Sequence, residues 1–178
     1  WVSDLFMERV KSDGVWSLFD PAVTPDLPDL YGQEFERAYK AYEDKKLYAK
    51  QMPARELYGK MLKTLAETGN GWFTFKDRCN ELCAQTGPSG EVVHLSNLCT
   101  EIFLANGNTE SFVCCLSSMN MYRYDEWKDT DAVEVLMYVL EAVMSEFIEK
   151  ARSIKGFERV VRFAERQRAL GMGQIGWH

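Results

Sequence analysis

Asn97, Cys99 and Glu101, within "HLSNLCTEIF" at residues 94–103, place an amide, a thiol and a carboxyl at two-residue intervals with neutral residues between them. A thiol can surrender a proton or a hydrogen atom, a carboxylate can accept a proton, and a carboxamide can hold a hydroxyl from either side. In an extended segment successive side chains point to opposite faces, so these three would share one side while Leu98, Thr100 and Ile102 share the other. The spacing supports two readings. Either the trio converges on a site, or Leu98 and Ile102 face the core and the trio faces water.

The other thiols are Cys79, Cys83, Cys114 and Cys115. Cys79 and Cys83, four apart in "CNELC", would lie on one face of a helix, but a zinc site takes about four Cys or His ligands and His94 and His178 are the only histidines. Ordinary packing is the plainer reading, since free cysteine behaves as a small hydrophobe. The adjacent Cys114 and Cys115 would point to opposite faces of a strand, so at most one can face the same space as Cys99. Five cysteines, an odd number, in a chain whose start "WVSDLFMERV" lacks a basic and then apolar leader, argue for reduced thiols and a cytoplasmic location.

These groups must be positioned by a scaffold. Ser3 is placed to cap a helix through "DLFMERVKSD" with Leu5, Phe6 and Val10 on one side and Gly14 as its stop. "VWSLFD" reads as extended, and "DPAVTPDLPDLYG" as an ordered turn series, because each proline restricts its predecessor. Phe35, Ala38, Tyr39 and Tyr42, then Leu57, Met61, Leu62 and Leu65, recur at helical spacing, with Pro53 suited to the first turn of the second helix. "NGWFTFKD" alternates as a strand would, followed by a turn of helix through "RCNELC" and the loop "AQTGPSGE". "EVVHLSNLCTEIFL" and "SFVCCLSSMNM" read as a pair of strands about the turn "ANGNTE". A long helix follows, with Val133, Leu136, Met137, Leu140, Val143, Met144, Phe147 and Ile148 on its stripe and Gly156 at its end. "FERVVRFAERQRAL" supplies one more helix, and there is no internal repeat.

The 178 residues, 46% hydrophobic and 27% charged, suit one globular domain rather than two. A formal charge of −6, with basic and acidic residues interleaved, leaves no electrostatic footprint for a nucleic acid polymer. No run approaches the roughly 20 apolar residues of a membrane span. The start on Trp and the Gly-punctuated ending "MGQIGWH" suggest a piece of a longer protein.

"SNLCTEI", followed fifteen residues after Cys99 by Cys114 in "VCCLSSMNM", resembles the active-site region of the large, catalytic subunit of ribonucleotide reductase, most of all the class I enzymes. "DLFMERVKSDGVWSLFDP", "PDLPDLYGQEFERAYKAYE", "GWFTFKDRCN" and "RALGMGQIGWH" are similar to successive stretches of the same family in the same order. The resemblance implies an α/β class: a helix-rich fragment of a ten-stranded α/β barrel, residues 1–178 being a single partial domain with the radical-cysteine finger loop. It implies radical reduction of ribonucleotides to 2'-deoxyribonucleotides. Cys99 matches the residue that becomes a thiyl radical and removes the 3' hydrogen. Glu101 matches the carboxylate that takes the 3'-hydroxyl proton, Asn97 the amide that binds substrate hydroxyls, and Cys114 one of two thiols that end as a disulfide.

The resemblance further implies a ribonucleotide substrate, the remainder of the large subunit, a metal-containing small subunit as radical source with adenosylcobalamin as the lesser alternative, and a thioredoxin- or glutaredoxin-type reductant. No cofactor or metal is expected on this segment, and the segment alone should be inactive. Cys115 departs from the family, whose members usually carry a non-thiol after the redox cysteine. The second redox thiol, the phosphate-binding segment and the radical-relay tyrosines have no counterpart here. Two rivals remain: a non-enzymatic helical interaction module with Cys99 and Glu101 freely exposed, and a thiol-redox or metal protein that gathers Cys79, Cys83, Cys114 and Cys115.

Overall fold

A computed structural model describes residues 1–86 and 91–178; part of the expected loop "AQTGPSGE" therefore lies outside the described residues. The chain divides into two compact units, Trp1–Leu104 and Ala105–His178.

In the first unit, α1 (Asp4–Ser12) starts where Ser3 accepts a hydrogen bond from the Phe6 amide. It stops one residue before the expected glycine, because Asp13 itself takes the left-handed conformation at φ 56°. β1 (Val15–Leu18) pairs antiparallel with β2 (Lys50–Pro53), a strand that the sequence reading missed. Between them a 3₁₀ turn at Leu27–Asp29 and α2 (Gly32–Asp44) carry out the expected turn and helix. α3 (Ala54–Thr68) begins directly after Pro53, which caps it at φ −58°.

Leu5, Leu27 and Tyr39 form one buried cluster, flanked by Trp16, Phe19, Phe35, Ala38 and Tyr42. Val2, Phe6, Val10 and Ala54 form another, covered by Leu57, Tyr58 and Phe73. The α2 stripe is thus the one expected. On α3, Met61 and Leu62 are exposed instead, because the helix docks through its first turns at Ala54, Leu57 and Tyr58.

"NGWFTFKD" forms only a single parallel bridge, Val2 to Phe75, because α4 (Lys76–Leu82) has already begun at Lys76. Asp77 fixes this short helix in place. Its Oδ2 accepts from the Asp4 amide at 2.6 Å and its Oδ1 from the Gly32 amide at 2.8 Å, so one carboxylate serves the first turns of both α1 and α2.

In the second unit, β3 (Leu116–Asn120) pairs in parallel with β4 (Gly171–Ile175). A parallel pair requires a crossover, provided here by α5 (Tyr124–Trp127), α6 (Ala132–Ala151) and α7 (Glu158–Gln167). The expected pairing of "EVVHLSNLCTEIFL" with "SFVCCLSSMNM" is therefore corrected: the first is not a strand, and the second finds its partner in the glycine-rich ending. Met144 and Ile148 of α6 pack on Ala164 of α7, with Val113, Cys115, Phe147 and Leu170 around them. The buried strip on α6 is Leu140, Met144, Ile148 and Ala151, narrower than expected. Val133 and Val143 are exposed, since α7 and β3 cover only one side. No helix among the described residues is long and apolar enough to cross a membrane.

Candidate active-site loop

Residues 91–104 run from α4 without joining a sheet, and their two-residue alternation breaks at a tight turn. The Thr100 amide donates to the Asn97 carbonyl at 3.1 Å, which makes Leu98 and Cys99 the two central residues of a β-turn. Asparagine suits the first position of such a turn, and here its side chain completes the loop: Asn97 Oδ1 accepts from the Ile102 amide at 3.1 Å. Ser96 Oγ donates to the Ile102 carbonyl at 2.6 Å, so the two strands of the loop are tied twice at one level.

Cys99 thus stands at the tip of the loop and is exposed, and Glu101 just beyond the turn is exposed too. Leu98, expected on a core-facing side, is 86% exposed. The shared face expected of an extended segment is corrected to a turn, closed by one member of the trio and led by another.

Thr100 bears the conformational cost of this turn. It sits at φ 67°, a region unfavourable for a β-branched residue and worth on the order of 1–3 kcal/mol of strain. Its hydroxyl is buried without a hydrogen-bond partner among the described residues. Thr100 and Phe103 line an open groove of about 400 Å³ with Trp72, Phe75, Arg78 and Cys79.

The loop stems rest on α4. Asn80 and Val93 exchange two hydrogen bonds, and the Cys83 thiol donates to the Phe103 carbonyl at 3.2 Å. Sequence reasoning missed Ser96, Thr100 and Asn80. Of these only Asn80 left a signal, as a residue of poor helix propensity in the middle of a helix. Nearby, His94 faces Lys76, with Nδ1 and Nζ 3.5 Å apart. Burial, and then the Lys76 charge, hold the imidazole below its ordinary pKa.

In the second unit the vicinal thiols precede β3 rather than lying in a strand, yet they differ in exposure. Cys114 is exposed, whereas Cys115 packs at the α6–α7 core and donates to the Leu140 carbonyl at 3.4 Å. Burial, and then the Glu141 charge, raise the Cys115 pKa, which favours the thiol over the thiolate. Cys79 is likewise raised by burial and by Cys83. No group of three or more His, Cys, Asp or Glu side chains among the described residues is arranged to hold a metal ion.

Residues 1–178 match the family model described as ribonucleotide reductase, barrel domain. The chain is 39% identical over 189 aligned residues to the ribonucleoside-diphosphate reductase subunit alpha of Chlamydia muridarum, covering 99% of this chain and 17% of that protein. It is 37% identical over 150 residues to the ribonucleoside-diphosphate reductase large subunit of vaccinia virus, covering 81% of this chain and 19% of that one. Among solved structures, the class Id ribonucleotide reductase alpha subunit of Actinobacillus ureae is similar at a TM-score of 0.65 and 46% identity, over 83% of this chain and 27% of the other. The chain spans 17% to 27% of the length of these relatives.

Proposed function

Because the chain belongs to the ribonucleotide reductase barrel-domain family, we propose that it supplies the reacting loop of a catalytic subunit that reduces ribonucleotides to 2'-deoxyribonucleotides. The observation that carries this reading is the turn at Asn97–Thr100, which presents Cys99 at its tip while spending Asn97 Oδ1 on the Ile102 amide. That bond turns Oδ1 toward the loop, so in this reading Nδ2 donates to a substrate hydroxyl.

In this proposal the Cys99 thiyl breaks the ribose C3'–H bond homolytically, giving a Cys99 thiol and a sugar radical. Glu101 accepts the 3'-hydroxyl proton, which requires an approach of about 2.6–3.2 Å, and the 2'-hydroxyl leaves as water. Cys114 and a thiol outside this chain give up two electrons and two protons, one proton leaving in the water and the other going to C2', and close to a disulfide, which needs Cα atoms within about 7 Å. Glu101 returns its proton to the 3' oxygen and the Cys99 thiol its hydrogen atom to C3', which regenerates the thiyl. A reductant of thioredoxin or glutaredoxin type reopens it by exchange. The exposure of Cys114, against the half-buried packing of Cys115, supports Cys114 as the exchanging member of the pair. A metal-containing small subunit, or less favourably adenosylcobalamin, supplies the oxidising equivalent that creates the thiyl. A cytoplasmic location and a ribonucleoside diphosphate substrate belong to the same proposal.

A second reading, a helical interaction module with a solvated polar turn, is favoured by the exposure of Cys99 and Glu101. It does not account for the match of all 178 residues to a reductase barrel domain. Replacing Cys99 with serine in the complete enzyme separates the two. Deoxyribonucleotide formation should disappear while substrate binding stays nearly intact, and unchanged turnover would reject the catalytic role.

A further inference from the structure

The Cys99 loop lacks a sheet among the described residues, yet both of its stems are held by α4. At the entry, Asn80 is 4% exposed and Val93 fully buried. Asn80 Oδ1 accepts from the Val93 amide at 2.8 Å, and Nδ2 donates to the Val93 carbonyl at 3.0 Å. These are the two bonds that a residue of a neighbouring strand would exchange, made here by a side chain. Nδ2 also donates to the Lys76 carbonyl at 3.0 Å, which anchors the amide to its own helix.

At the exit, Cys83 closes α4 and its thiol donates to the Phe103 carbonyl at 3.2 Å. The Phe103 ring packs edge-on against Trp1 with centroids 6.4 Å apart. Between these two points Ser96 and Asn97 tie the loop across itself at Ile102. A chain of short polar links therefore runs from α4 to the turn that carries Cys99.

We infer that Asn80 and Cys83 are positioning residues for Cys99, setting the place of its sulfur from opposite ends of the loop. The inference rests on the reading of Cys99 as the reacting thiol. Hydrogen-atom transfer requires the sulfur close to one carbon, and a misplacement of about 1 Å can cost about a hundredfold in rate. Neither residue touches the substrate in this assignment. Both act through backbone groups on the stems, so their effect falls on kcat rather than on KM.

The test uses the complete, assembled enzyme. Asn80→Asp keeps the acceptor for the Val93 amide but turns a carboxylate oxygen toward the Val93 and Lys76 carbonyls. Its kcat should fall by about 10- to 100-fold, with KM held within about twofold. Cys83→Ala removes the thiol donor and should lower kcat by about 3- to 10-fold, whereas Cys83→Ser retains a donor and should restore it to within about twofold. Thermal unfolding is followed in parallel, because a residue that merely stabilises the fold would lower the melting temperature without separating alanine from serine in kcat. Unchanged kcat in both Asn80→Asp and Cys83→Ala, or serine no better than alanine, would overturn the assignment. If Asn80→Asp does not fold, the Cys83 pair decides. Cys99→Ser is run alongside. Should it leave turnover intact, the reading of Cys99 fails; should it abolish turnover while the α4 variants are normal, only the positioning role fails.

Discussion

Tyr39→Phe removes one oxygen atom from the first core and nothing else. The Tyr39 hydroxyl accepts from the Ser17 amide and donates to the Ser17 carbonyl, both at 2.7 Å, in a site where Tyr39 is 2% and Ser17 1% exposed. Burial pushes the phenol pKa upward, which keeps it in the neutral form able to do both. Phenylalanine would keep the stacking on Trp16 at 4.4 Å and the edge contact with Phe19 at 5.1 Å, so apolar burial is preserved. The two Ser17 backbone groups lose their partner. A buried group left unsatisfied costs about 1–3 kcal/mol, so the pair should cost about 2–6 kcal/mol. Hydrogen exchange read at β1 in the complete protein converts this to a loss of protection of about 30- to 25,000-fold, since each 1.36 kcal/mol is tenfold. A change below about threefold would refute the claim that Tyr39 serves as the missing strand neighbour of Ser17.

Glu43 offers a pH test. Burial disfavours its charge, but the hydrogen bonds from Arg9 at 2.5–2.6 Å and from Ser17 at 2.6 Å, with the Arg9 charge, outweigh burial and hold its pKa below the ordinary 4.5. A carboxyl with a depressed folded-state pKa contributes stability above its unfolded value that is lost as pH falls through the folded one. Denaturation midpoints should therefore decline as pH drops below 4.5, and Glu43→Gln should flatten that slope; an unaltered slope would contradict the assignment. For the vicinal thiols, iodoacetamide should modify Cys114 at least about tenfold faster than Cys115 in the reduced protein, mapped by peptide mass. Equal labelling would show that Cys115 is not held in the core.

The helices were legible where one apolar stripe meets one neighbour. Ser3, Leu5, Phe6 and Val10 specify α1, and Phe35 to Tyr42 specify α2, because local capping and a single buried face agree there. The strands were less legible. β4 has the sequence "GMGQI", and its glycines read as punctuation, yet a Cβ on Gly171 would come 2.3 Å from the Leu116 side chain and one on Gly173 2.7 Å from Ser118 Oγ. Close approach to β3, rather than a turn, explains those glycines. In the candidate site the residue types were legible and their geometry was not. Alternation assumes an unbroken extended chain, whereas Asn97 uses its own side chain to fold the segment back and Thr100 adopts a positive φ that its type does not announce. Asn80 and Cys83 were hidden for a different reason, since their partners Val93 and Phe103 are distant along the chain.

Asp77 stands three residues before Asn80 on a helix of only two turns. The same rigid segment that receives the first amides of α1 and α2 on one carboxylate grips the loop with the next turn. Asp77 therefore links the starts of α1 and α2 to the helix whose Asn80 holds the stem of the Cys99 loop. If Cys99 reacts as proposed, substitutions around Asp4 or Gly32 should be felt as a change in reaction rate.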